Sequence, residues 1–294
     1  MKVFVTGGTG LIGSSLIPRL VASGHSVTCL ARSDASATKA KSLGATPILG
    51  SHLDLAVLAH AAGEADGVIH LAFDHDGIAD YVRVCDEDRA AIAAMCDALG
   101  STGKPFVCAN GTLMTAGETE QCGKIPIEAF PRWKSEDLTR SYADKGVRAT
   151  TVRLPPVVHG PDREHPFISA QIAAAKEHKE AGYIGDGKQV WPSAHVDDAA
   201  AVFHLALEKG EKGEVYHAVG EEGVAVKAIA EAVGAKLGVE VKSLSKEEAM
   251  GRYGFVGPLM DMSNKTSSAL TQQWLGWKPE GYGLLKEMEA GYKY

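Results

Sequence analysis

The sequence predicts an α/β fold, a doubly wound parallel sheet with a smaller C-terminal lobe. Glycines 7, 10 and 13 of "TGGTGLIG" stand between a short apolar run and an amphipathic stretch. Short β-branched runs then alternate with stretches of helical periodicity as far as residue 155. The helical stretches are long enough for right-handed crossovers, which make the strands parallel and cover both faces of the sheet.

Taken in order, "KVFVT" (2–6) is an apolar, β-branched run stopped by glycine, the mark of a buried strand. "LIGSSLIPRLVASG" has apolar residues at helical spacing and closes on Gly24, a natural helix stop. "HSVTCLAR" is a second strand, "SDASATKAKSLG" a helix, "TPILG" a third strand, "LDLAVLAHAAG" a helix and "DGVIHLAF" a fourth strand. "YVRVCDEDRAAIAAMCDALGSTG" is a long helix, followed by a strand at "KPFVCAN", a helix at "WKSEDLTRSYADKG" and a sixth strand at "VRATTVRLP". After Pro155 and Pro156 the rhythm loosens. "DGKQVWPSAHVDDAAAVFHLALEKG" reads as a loop and then a helix, "GEVYHAVG" as a strand and "VAVKAIAEAVGAKLG" as a helix. The expected division is a dinucleotide-binding Rossmann domain at 1–155 and a substrate-binding lobe at 156–294, interleaved with the sheet and joined without a linker.

Bulk properties exclude several classes. The 294 residues are 45% hydrophobic and 23% charged, ordinary for a globular chain that buries a full core. A net charge of −7 without a dense Lys/Arg cluster argues against nucleic acid. No stretch has the ~18 apolar residues that a membrane span needs. "MKVFVTGG" runs straight into the glycine motif, so no leader is expected at this end. The five cysteines have no CxxC spacing and fit reduced, buried thiols, which points to the cytoplasm. No His/Cys/Asp cluster has ligand spacing, so no metal is expected.

The glycine loop carries the first chemistry. A turn from strand into helix that admits a pyrophosphate must be tight and must bring backbone N–H groups and a helix N-terminus close to the phosphates. Gly7, Gly10 and Gly13 meet those needs, with Leu11 and Ile12 between the last two. The end of the second strand discriminates between nicotinamide dinucleotides: an acid there holds the ribose hydroxyls, whereas an arginine accommodates a 2′-phosphate. "CLARSDAS" offers Arg32 and Ser33, favouring NADP, while Asp34 just beyond leaves NAD open.

Five motifs in order, "TGGTGLIG", "GVIHLA", "VRLPPVVHGP", "HVDDAA" and "LGWKP", run nearly end to end. Together they resemble the short-chain dehydrogenase/reductase superfamily in its extended or atypical branch, the NAD-dependent epimerase/dehydratase group. Within it the chain is similar to bacterial and fungal proteins bearing an Arg-x-x-Ser-Glu segment. The resemblance implies that Leu53 covers the adenine, that Leu71, Ala72 and Phe73 pass beneath the ribose and pyrophosphate, and that Pro155 and Val158 flank the nicotinamide. Plain core packing is the alternative for each of these apolar residues.

In that superfamily a Tyr-x-x-x-Lys pair shares one helix face. The tyrosine protonates the substrate oxygen, the lysine lowers its pKa, and a Ser or Thr from the fifth strand steadies the oxygen. Here "RWKSEDL" puts Arg132 at the tyrosine position and Glu136, with the wrong sign, at the lysine position. Lys134 points to another face and Tyr142 comes nearly three turns late. A tyrosine at 132 with a lysine at 136 would rebuild the family pair. As the sequence stands, Thr112 at the end of the fifth strand and the fixed cation of Arg132 are the catalytic candidates. Arg132 is also placed for an ion pair with Glu136, one turn on. The proton is then expected from water or a histidine such as His159 or His195, and no tyrosine serves. His159, His195 and Trp191 are candidate substrate contacts, with core or capping roles as their alternatives.

The expected function is that of an NADP-preferring oxidoreductase, monomeric or homodimeric, acting on a small carbonyl or alcohol. A non-catalytic dinucleotide sensor is the alternative from another class, and a sugar-nucleotide epimerase or dehydratase is a third. The last is weakened by the missing base.

Overall fold

Buried, β-branched runs and the helices between them build the first half of the chain in strict alternation. The computed structural model describes residues 1–128, 131–161, 165–254 and 256–290. Its elements are β1 (Lys2–Thr6), α1 (Gly13–Ala22), β2 (Ser26–Ala31), α2 (Asp34–Ser42), β3 (Thr46–Leu49), α3 (Leu55–Glu64), β4 (Gly67–His70), α4 (Tyr81–Leu99), β5 (Pro105–Gly111), α5 (Trp133–Ser141) and β6 (Arg148–Leu154). The second half adds β7 (Val157–His159), α6 (Pro166–His178), β8 (Glu180–Ile184), β9 (Val190–His195), α7 (Val196–Lys209), β10 (Val215–His217), β11 (Glu221–Ala225), α8 (Val226–Leu237), β12 (Glu240–Leu244), α9 (Lys246–Tyr253), α10 (Val256–Met260), α11 (Ala269–Leu275) and α12 (Leu284–Ala290).

Seven strands form one parallel sheet in the order β10-β6-β5-β4-β1-β2-β3. The order reverses between β1 and β4, and open α/β sheets bind ligands at such a switch point, beyond the strands' C-terminal ends. One core lies between the sheet and α1 and α7, around Leu16, Ile17, Leu20 and Phe203. The other face is sealed by α3 and α4 through Leu58, Ile92 and Met95. A third core, around Ile172, Trp191, Ile229 and Met288, belongs to the second half. That half is not separate from the sheet, because β10 pairs with β6 and α7 packs on α1.

Two local expectations differ from what forms. The stretch read as a loop before α7 contains β9, the middle strand of a three-stranded sheet ordered β11-β9-β7. Pro192 within it has no N–H to give, and β11 bulges between Glu221 and Val224, the partners of Ser193 and Trp191. The fourth strand was expected to run through Phe73 but ends at His70. Beyond it the N–H of Ala72 turns to the Thr6 hydroxyl (3.2 Å), and Leu71–Phe73 becomes a loop over the switch point.

Candidate active site

The glycine loop joins β1 to α1. Gly7 has φ +66°, and a Cβ there would lie 2.7 Å from the backbone of Leu71 and Ala72. A Cβ on Gly13 would lie 2.4 Å from Cα of Gly8, so the loop and the first turn of α1 touch backbone to backbone. Gly10 is exposed, and a Cβ there would meet Gly7 O alone, at 3.2 Å. This open cradle lies beside the N-terminus of α1, which no side chain caps, and the combination fits a pyrophosphate. Leu11 and Ile12 are half-buried against the core below. Lys39 reaches across from α2, its Nζ donating to Thr9 O at 2.8 Å, and sets a cation at the rim.

Arg32 leaves the end of β2 with its side chain 77% exposed, loosely paired with Asp76 at 3.8 Å. Ser33 caps α2, its hydroxyl accepting from Ser36 N at 3.2 Å. Leu53 is an exposed apolar side chain in the loop after β3, and Leu71, Ala72 and Phe73 line the loop after β4. Pro155 and Val158 are buried on either side of the start of β7.

Arg132 stands at the start of α5 with its guanidinium 3.5 Å from the centre of the Phe73 ring. Its Nη2 donates to Ala109 O at 3.4 Å, and it also donates to the Tyr81 hydroxyl at the head of α4. Burial raises the Tyr81 phenol, while the Arg132 charge and hydrogen bond act to lower it. The phenol is therefore protonated at neutral pH and stands against a permanent cation. His75, from the same β4 loop, is held below its ordinary value by burial and then by Arg132.

Arg132 and Glu136 do not form the expected ion pair. Glu136 is fully buried and taken by Arg153 of β6, through Oε2 at 2.8 Å and Oε1 at 2.7 Å. Ser135 donates to Asp88 at 2.6 Å, and Asp88 contacts His70 Nε2 at 3.2 Å. The other His70 nitrogen meets the Thr6 hydroxyl at 2.7 Å. Burial pushes the Asp88 carboxyl up, but the His70 hydrogen bond and the Arg132 charge hold it below the usual range. The Arg-x-x-Ser-Glu segment thus presents one cation to the crevice and two anchors to the interior. Lys134 points outward to Glu128 (2.8 Å), and the Tyr142 hydroxyl donates to Asp97 (2.8 Å).

Thr112 is fully buried and donates to Asn264 Oδ1 at 2.8 Å, while Asn264 Nδ2 donates back to Thr112 O at 3.1 Å. This latch ties the tip of β5 to the tail; no hydrogen bond joins Thr112 to Arg132 among the described residues. His159 and His195 do come together, with ring centroids 5.7 Å apart and Tyr282 5.1 Å from His195. Burial pushes His159 down to about 4, with His195 adding to the effect and Glu287 opposing it. Trp191 is fully buried in the third core, and its indole N–H donates to Met262 O at 3.3 Å.

Sequence reading missed Tyr81, His75, His70, Asp88, Asn264 and Lys39. The sequence has no local signal for them, since each gains its role from a partner on another element.

The glycine cradle at the switch point of a doubly wound sheet defines a dinucleotide-binding oxidoreductase fold of the extended short-chain dehydrogenase/reductase type. The chain belongs to the NAD dependent epimerase/dehydratase family, whose profile matches residues 3–219. It is 40% identical over 293 residues to the Schizosaccharomyces pombe protein C2A9.02, covering 99% of each chain. It is also 30% identical over 231 residues to the 4-hydroxy-2-methyl-3-oxo-4-farnesyl-3,4-dihydroquinoline-1-oxide ketoreductase of Stigmatella aurantiaca, covering 74% of this chain and 67% of that one. The fold matches that of UDP-glucose 4-epimerase from Thermotoga maritima with a TM-score of 0.76, at 20% identity, over 98% of this chain and 96% of that chain. No described helix is long and apolar enough to cross a membrane.

Proposed function

We propose that the chain is an NADP-preferring oxidoreductase that interconverts a small carbonyl and its alcohol, with Tyr81 and Arg132 in place of the family's helical pair. The observation that carries this reading is the Arg132 guanidinium, stacked on Phe73 and hydrogen-bonded to Tyr81 beside the crevice. The bound nicotinamide supplies or accepts the hydride. Gly7, Gly10 and Gly13 hold the pyrophosphate, Arg32 pairs the 2′-phosphate, and Leu53 covers the adenine. Tyr81 gives its proton to the substrate oxygen, and Arg132 stabilises both the developing oxyanion and the phenolate left behind. This departs from the expectation of water or a histidine as donor with no tyrosine in that role; an imidazole held at about 4, as His159 is, is neutral at pH 7 and a poor acid. We assign the substrate to the lobe after residue 155, near His159 and His195.

The ketoreductase similarity supports carbonyl reduction. Among the structural neighbours, the UDP-glucose complex makes a sugar nucleotide the competing substrate. The test is a titration of NADPH and NADH, followed by their consumption over a panel of ketones and aldehydes with UDP-glucose as a separate arm. Tight NADPH binding with turnover of a carbonyl is expected. Binding without consumption of any panel member would favour a sensor, and conversion of UDP-glucose would favour an epimerase.

A further inference from the structure

We propose that His25, His204 and Glu208 form a binding site for a divalent transition-metal ion, zinc foremost, at the end of the molecule away from the dinucleotide crevice. His25 lies in the turn between α1 and β2, where β2 begins. His204 and Glu208 are one helical turn apart on α7, on the same face. Nε2 of His25 is 3.2 Å and Nε2 of His204 is 3.3 Å from the same carboxylate oxygen, Glu208 Oε1. All three ligand atoms lie within 4.8 Å of one another. Zinc bonds of about 2.0–2.1 Å in a tetrahedron place neighbouring ligand atoms about 3.4 Å apart. The two histidine–carboxylate spacings already match that edge.

A second observation points to a ligand. The His204 side chain is 8% exposed, its Nδ1 has no hydrogen-bond partner, and its Nε2 faces the cluster, meeting the Glu208 carboxylate at 3.3 Å outside good hydrogen-bond geometry. A buried polar atom so poorly matched costs part of its desolvation free energy, and coordination would match Nε2. Burial also favours the neutral, ligating form of His204, with Arg19 and His25 adding to that effect and Glu208 opposing it. Glu208 is partly exposed and leaves a path for the ion and a water in the fourth position. The Met1 amine, 3.4 Å from His25 Nδ1, is the remaining neighbouring charge. A pattern reading of the sequence misses the set because His25 and Glu208 are 183 residues apart.

An ion here would clamp the β2 turn to α7, across the α1 packing that supports the glycine loop. Its role is therefore structural, and its test does not depend on turnover. The untagged chain, stripped with EDTA, is titrated calorimetrically with Zn²⁺, with Mg²⁺ as the hard-cation control, and melted with and without zinc. One zinc per chain, no magnesium binding and a raised Tm are expected for the wild type. His25→Ala and Glu208→Gln should each bind zinc at least tenfold more weakly and lose the rise in Tm. Both should keep wild-type dinucleotide affinity, which separates this proposal from the functional one. His204→Asn should behave alike if it folds. Zinc bound equally by wild type and variants, or not bound by the wild type, overturns the proposal and leaves a hydrogen-bonded cluster.

Discussion

Arg132 occupies the place of a proton donor but is a side chain that never releases its proton at neutral pH. In the proposed reaction its part is therefore electrostatic, and its partner Tyr81 supplies the transferable proton. Removing an oxyanion-stabilising donor lowers kcat by about 10²–10³-fold, so Arg132→Ala is expected to lose on the order of 10²-fold in carbonyl reduction. Tyr81→Phe should lose a comparable factor while keeping cofactor affinity, since the proposed reaction uses the phenol's proton and leaves the dinucleotide contacts to other residues. Wild-type turnover in either variant would reduce that side chain to a packing partner of Phe73. At the rim, Arg32 is exposed and only weakly held by Asp76, so it is free to meet a 2′-phosphate. Losing one charge-assisted contact costs roughly 1.5–3 kcal/mol, so Arg32→Ala should weaken NADPH binding about ten- to a hundredfold and leave NADH nearly unchanged. Equal losses for both would make Arg32 structural. Arg32 and the glycines could be proposed from the sequence because their placement is local to a strand end and a turn. Tyr81 could not, because its meaning depends on a guanidinium delivered from α5.

Between elements, the glycine loop and the base of α5 show how far a motif prescribes its own geometry. A Cβ on Gly13 or Gly7 would run into backbone within 3 Å, whereas one on Gly10 would meet Gly7 O alone, at 3.2 Å. Gly10→Leu should therefore fold with little change in melting temperature and lose dinucleotide binding. A folded Gly10→Leu protein with wild-type affinity would remove the cradle from the pyrophosphate. Rebuilding the family pair by Arg132→Tyr with Glu136→Lys looks sensible from sequence, but the structure argues against it. A lysine at 136 would face Arg153 in the interior, and breaking a buried pair costs about 3–5 kcal/mol. The double variant should unfold at markedly lower denaturant concentration than Arg132→Tyr alone, a difference read in an equilibrium melt. Helices were legible where their apolar periodicity was long. The 13-residue α6 escaped, and so did the shorter α9, although Ser245 and Glu248 form a capping box at its start. β9 escaped because a proline in a middle strand is tolerated only beside a bulge that belongs to β11, and no local signal announces that bulge.

At the scale of the whole molecule, the second half of the chain is fastened to the sheet through buried groups that tolerate one protonation state. His217, on β10, receives a hydrogen bond from Arg153 Nη1 at Nε2 (3.2 Å), so its proton sits on Nδ1 and is donated to Ser267 O at 2.8 Å. That single ring joins β6, β10 and the tail, and a second proton would point at a guanidinium. Burial holds His217 down to about 4 from an ordinary 6.5, with the Arg153 charge adding to the effect and the Ser267 carbonyl opposing it. His159 is likewise pushed down to about 4. The unfolded chain takes up these protons near pH 6.5 and the folded chain resists them to about 4, so acid favours unfolding through that window. Each such imidazole contributes a slope of about 1.4 kcal/mol per pH unit there, and this contribution is fully present above the window. Asp88, held below the usual carboxylate range, adds its own loss at still lower pH. Tm should therefore be nearly flat above neutrality and fall steeply from about pH 6.5 towards 4. His217→Gln keeps an acceptor for Arg153 and a donor for Ser267 without a titrating group, so it should flatten part of that fall. A Tm profile with the same slope in wild type and His217→Gln would mean that the joint between the two halves does not sense the proton, and that acid acts elsewhere in the fold.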